Sequence, residues 1–102
     1  MRVVNKGVSL VNLVDNLFNW LQIKLVADQR PEDLAARDTV AFFAEMLKED
    51  HGVDTNQLSY EMEASMIHVL FVQEGKKKRH MFDREAAEKL LRDIEREPRY
   101  GL

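Results

Sequence analysis

The chain has 102 residues, no cysteine, a formal net charge of −3 and 45% residues of the apolar and aromatic set. That length predicts one small domain, and the apolar fraction is too high for a disordered chain. The lack of cysteine excludes disulfides, thiolate metal ligands and a thiol nucleophile, and it suits a reducing compartment.

The first ten residues hold no apolar core followed by a small-residue cleavage site, so no secretory signal is predicted. The apolar stretch 8–26 is broken by Asn12, Asp15, Asn16, Asn19, Gln22 and Lys24. It falls short of the roughly 20 apolar residues a membrane span needs. A soluble, cytoplasmic protein with no membrane contact is expected. The same stretch predicts a first helix over about 9–27, with Ser9 as N-cap. Leu10, Val14, Leu17, Phe18, Leu21 and Leu25 recur at helical spacing. Val11 and Val26, with Leu13 and Trp20, widen the stripe beyond what a surface helix needs. One flank is therefore free, in this reading, for a second chain, and Val11, Phe18, Trp20 and Leu25 are the candidate self-association residues.

Pro31 suits a first helical position, with Glu32 and Asp33 complementing the macrodipole. A second helix is predicted from there to about 49. Its seam is Ala36, Val40, Phe43 and Leu47, and Gly52 fits a left-handed C-terminal position. Joined by a short loop, the two helices pair antiparallel.

Beyond Gly52 the period changes to two. Leu58, Tyr60 and Met62 alternate with Ser59, Glu61 and Glu63, the pattern of a half-buried strand. Residues 67–72 are apolar on both faces apart from His68, which predicts a central strand. Ala64 and Ser65 carry no strong turn signal, so one long bulged strand is the alternative; the slip in parity favours two. Glu74, Gly75, Lys76 and Lys77 form the predicted hairpin turn, and 78–82 return as a third strand. Asp83 caps a last helix over 84–96, with a seam of Ala87, Leu90, Leu91 and Ile94; Pro98 closes it before a loose tail. The fold class is α+β: two antiparallel helices, a three-stranded antiparallel sheet and a final helix, in the order α-α-β-β-β-α.

Charge is unevenly placed. Residues 1–50 are net −2, residues 51–75 hold four acids and no base, and residues 76–102 are net +3. The candidate binding residues are Lys76, Lys77, Lys78 and Arg79. Alternation sends Lys77 and Arg79 to one face and Lys78 with His80 to the other. They fit contact with an acidic protein surface, phosphate contact, or the simpler duty of guarding an edge strand against aggregation. Arg92, Arg96 and Arg99 extend the patch only if the last helix packs nearby. Without the first helix, the order α-β-β-β-α resembles the double-stranded RNA-binding domain, which implies RNA contact through a basic start to the final helix. Here that place holds Asp83, Glu85 and Glu88, which repel phosphate.

No assembled catalytic signature is present. There is no G-x-S-x-G, no P-loop and no G-x-G-x-x-G, and four glycines do not build a phosphate cradle. His51, His68 and His80 lack metal-ligand spacing. No catalytic residue, metal or cofactor is therefore nominated. The sequence reads as a non-enzymatic protein-binding or regulatory module, with the first helix as the candidate homodimer contact and nucleic-acid binding through the basic hairpin as the alternative.

Overall fold

The computed structural model describes residues 12–97. Its elements are α1 (Leu13–Gln29), α2 (Leu34–His51), a short 3-10 turn (Thr55–Gln57), β1 (Ser59–Met62), β2 (Met66–Gln73), β3 (Lys76–Asp83) and α3 (Arg84–Arg96). This is the α+β order read from the sequence. The strands form one antiparallel sheet in the order β1-β2-β3. None of the described helices is long and apolar enough to cross a membrane.

Each helix starts where a short polar side chain can satisfy an orphan amide. Asn12 accepts from the Asp15 amide, Asp33 from Ala36 and Asp83 from Ala86. The α2 start differs from expectation: Pro31 lies in the preceding turn, and the helix begins at Leu34. Asp33 holds the N-terminus there because its carboxylate reaches a backbone amide, which Pro31 has no means to do. Gly52 ends α2 with φ +68°, its amide donating to Lys48 and the Val53 amide to Leu47. Ser9, Val11 and the tail from Pro98 lie outside the described residues.

Helix α1 is the centre of the fold, packed against both α2 and α3. Leu17, Trp20, Leu21 and Leu25 enter one core with Leu47 of α2, Ile67, Val69 and Phe71 of β2, Phe82 of β3 and Ala87 of α3. A second cluster, Val26, Ala36 and Ile94, locks the far end of α1 between the other two helices. From Leu17 onward the wide apolar stripe is thus taken up inside the chain, while Val14 stays exposed. Phe18 packs on Phe82 of β3, ring centroids 5.4 Å apart, while Trp20 meets Tyr60 of β1 edge-on at 6.4 Å. Trp20 is 3% and Leu25 4% exposed. The self-association surface drawn through Phe18, Trp20 and Leu25 is therefore corrected: the sheet takes one flank of α1 and its helical neighbours take the others.

The sheet has two tight hairpins. Met62 pairs with Ile67 and the Glu63 amide donates to Met66, so Ala64 and Ser65 make a true reversal between two strands. Gln73 pairs with Lys76, leaving Glu74 (φ 52°) and Gly75 (φ 82°) as a two-residue loop. Both central residues at positive φ is the geometry whose twist matches the flanking strands. Lys76 and Lys77 are consequently strand residues, not turn residues, and β3 runs the full length of β2.

Candidate functional site

The register of β2 divides the sheet into two unlike faces. Ile67, Val69 and Phe71 point into the core beneath α1. Met66, His68, Leu70 and Val72 point the other way, where no described helix packs. Across from them on β3, Lys77 pairs with Val72, Arg79 with Leu70 and Met81 with His68. On β1, Ser59 pairs with Leu70 and Glu61 with His68. Directly paired residues share a face, so Lys77 and Arg79 stand on the uncovered side together.

Between them lies an open groove of about 590 Å³. Leu70 and Val72 form its floor. Lys77 and Arg79 rise on the β3 side; Asn56, Gln57 and Ser59 stand on the β1 side. An apolar floor with a few convergent polar groups is the usual composition of a recognition site. Lys76 and Lys78 belong to the opposite face, and Lys78 is engaged, its Nζ donating to Gln73 Oε1 at 2.8 Å. The four cations therefore do not act as one patch. As β3 is an edge strand, all four guard that edge; Lys77, Lys78 and Arg79 line the groove, Lys77 and Arg79 from its open face.

The other end of this face is acidic. Glu61 sits opposite His68, and Glu63 Oε1 lies 3.1 Å from His68 Nε2. The distance is that of an ion pair, but the angle does not complete a hydrogen bond, and His68 Nδ1 has no partner either. Glu63 is exposed while His68 is buried, at 9% exposure, so the carboxylate stands in solvent at the edge of the imidazole. An exposed carboxylate lacks the shielding that paired acid–base groups require. Among the described residues no three His, Cys, Asp or Glu side chains come together as a metal site. His80 does not meet His68: the register places it opposite Val69, on the other face, where its ring lies 4.7 Å from that of Phe82.

The last helix offers no extension of the basic patch. Glu88 takes both Arg84 (3.0 Å) and Arg92 (3.3 Å), while Asp93 takes Lys89 (2.8 Å) and Arg96 (3.5 Å). Lys89 and its neighbours hold the Asp93 carboxyl below its usual range. By contrast, among the described residues no hydrogen bond or ion pair within the chain engages Glu61, Lys77 or Arg79. The helix uses its charge internally; the open face keeps its charge free.

Two residues carry little toward a site. Phe42 is 59% exposed on α2, where it meets Phe43 edge-on with ring centroids 5.3 Å apart and Asp38 and Glu45 share its side of the helix. Asn16, which reads in sequence as an interruption of the first helix, is fully buried with neither amide atom hydrogen-bonded. The groove floor is what sequence reasoning missed. The signal was there: a central strand apolar on both faces in a chain whose helices all fit on one.

Comparison with known families, characterised proteins and solved structures finds no match for this chain.

Proposed function

We propose that the chain is a small, non-enzymatic protein-binding module of regulatory type, acting in the cytoplasm through the uncovered face of its sheet. One observation carries this reading. Strand β2 has the apolar composition of a strand buried on both faces, and the described helices bury only one. Leu70 and Val72 are left as the floor of a groove rimmed by Lys77 and Arg79. A floor of that kind, with free cations at its edge, fits an apolar and acidic protein surface.

Nucleic acid is the weaker reading. Sheet platforms that bind single strands stack bases on aromatic side chains. The aromatics Tyr60, Phe71 and Phe82 all face the helices here. Two cations on one face also give few phosphate contacts, and Glu61 and Glu63 share that face.

The test is site-specific photocrosslinking. A benzophenone amino acid replaces Leu70 in the full chain, and Glu45 on the outer side of α2 in a control. In cell extract the residue-70 probe is expected to form polypeptide adducts that survive nuclease treatment and vanish with Lys77→Glu plus Arg79→Glu. Nuclease-sensitive adducts alone, or labelling no different from the Glu45 control, would overturn the proposal.

A further inference from the structure

We infer that the occupant of the open face is a second copy of this chain, packed sheet against sheet with the strands crossing, the acidic corner of each copy on the basic corner of the other. The inference rests on the reading of that face as an association surface, and charge placement carries it further. Along β2 one end of the face is acidic: Glu61 stands beside His68, and Glu63 beside Met66, to which its amide donates. The other end is basic, with Arg79 beside Leu70 and Lys77 beside Val72. The apolar row Met66, Leu70, Val72 and Met81 lies between them, and Met81 is 52% exposed.

Such a face is complementary to itself. The acids lie at the β1 corner of the face and the cations at the diagonally opposite β3 corner. A two-fold axis lying in the face and running across that diagonal lays the cations of each copy on the acids of the other, so the contact forms twice. The apolar rows cross in the middle, as in orthogonal sheet packing. An axis square to the strands would set β1 on β1 and β3 on β3, like charge toward like, and is rejected. An unrelated acidic partner would satisfy Lys77 and Arg79 but would leave Glu61 and Glu63 without an answer; a second copy satisfies both ends. Pairing through strand edges is disfavoured by the cations along β3 and by the four-residue length of β1.

The face is small. Two eight-residue strands and the four-residue β1 span a plane of about 330 Å², against about 800 Å² of accessible surface per partner in a standard interface. The dimer is accordingly weak, forming in the micromolar range and loosening with salt.

Sedimentation equilibrium of the full chain tests this, from about 10 to about 500 µM protein and from roughly 50 to roughly 500 mM salt. Wild type is expected to rise toward twice the chain mass at low salt and to fall back at high salt. Lys77→Glu plus Arg79→Glu, Glu61→Lys plus Glu63→Lys, and Leu70→Lys should each weaken association at least tenfold. Circular dichroism should show all three folded. Mixing the first two variants one to one should restore the dimer, since each then presents what the other lost. A wild-type monomer throughout, a dimer indifferent to these variants, or a mixture that stays monomeric would overturn the inference. If wild type is monomeric while residue 70 still crosslinks to another protein, the self-pairing falls and the binding-module reading stands. If both signals are absent, both fall.

Discussion

The two faces of β2 are built from alternate residues of one eight-residue strand and meet opposite fates. Ile67, Val69 and Phe71 disappear beneath α1, where the helices and the other strands supply neighbours on every side. Met66, Leu70 and Val72 are nearly as apolar and remain half-covered, sheltered only by the stems of residues on β1 and β3. The charges follow the same division. On α3 every described cation has a carboxylate one helical turn away, an arrangement worth a few tenths of a kcal/mol per pair. On the open face Lys77, Arg79 and Glu61 have none. A chain that neutralises its charges so consistently on one element, and leaves them free beside exposed apolar side chains on another, distinguishes a finished surface from an unfinished one.

The sharpest way to break that contrast is to truncate one residue from each face. Ile67→Ala removes side-chain atoms from a site with no exposure, and should cost about 3 kcal/mol through lost transfer energy and residual cavity. Leu70→Ala at the same dilute concentration should cost under about 1 kcal/mol, because water already reaches that position in the monomer. Urea unfolding with matched slopes measures both. Equal losses would mean the open face is as much a core as the covered one, and the distinction would collapse.

A smaller effect probes how the covered face is fastened at its β1 edge. Tyr60 leaves the sheet on the helix side and its hydroxyl donates to Asp28 Oδ2 at 2.6 Å; Lys24 holds the same carboxylate at 3.0 Å. Burial of the phenol, the hydrogen bond to Asp28 and the charge of that carboxylate all push its ionisation well above the usual tyrosine range. A group whose folded pKa is raised contributes stability that is intact below its unfolded value. The bond's contribution is therefore complete below about pH 10 and is lost progressively as pH climbs from there toward the folded value. Tyr60→Phe should cost about 1 kcal/mol at neutral pH, at the low end because the site is partly solvated. It should also flatten the alkaline limb of a melting-temperature profile. An unchanged limb would mean that Asp28 does not hold the phenol in solution.

Most of this architecture is legible in the sequence, and the parts that are not have definite causes. Helical spacing locates α1 and α3, and the switch to alternation after Gly52 locates the sheet. Asp83 as a cap and Gly52 as a left-handed terminus are single-residue signals with one geometric meaning. The α2 start went to Pro31 because proline is tolerated in the first turn, whereas the capping bond from Asp33 decides the matter locally. The destiny of the α1 stripe was not legible. Whether a broad apolar helix is gripped by its own chain or by another depends on how it crosses the sheet, and spacing carries no information on that. For the same reason the cations Lys76, Lys77, Lys78 and Arg79 divide between two faces once the register is fixed, and only Lys77 and Arg79 share the face of Leu70 and Val72.

That register depends on the hairpin, which provides the mildest test. Glu74 adopts φ 52°, a conformation costing a residue with a Cβ roughly 1 kcal/mol. It does so because a two-residue loop whose twist suits the strands requires positive φ at both central positions. Asparagine tolerates that region better, so Glu74→Asn should raise stability by about 0.5 kcal/mol, readable as a shift in urea midpoint at constant slope. It should leave the pairing of Val72 with Lys77 and of Leu70 with Arg79 intact, as cross-strand nuclear Overhauser contacts would report. The Glu74 side chain also lies beside Gly52, where a Cβ would come within 3.3 Å of its Cγ. Asparagine keeps a Cγ there and gives up only the reach of the longer carboxylate, at little cost, since Gly52 is exposed and the Glu74 amide still donates to the Gly52 carbonyl. A loss of stability in Glu74→Asn would instead show that the long side chain packed on Gly52 holds the loop. The register that separates the two faces would then be set by that contact and not by the backbone twist of the turn.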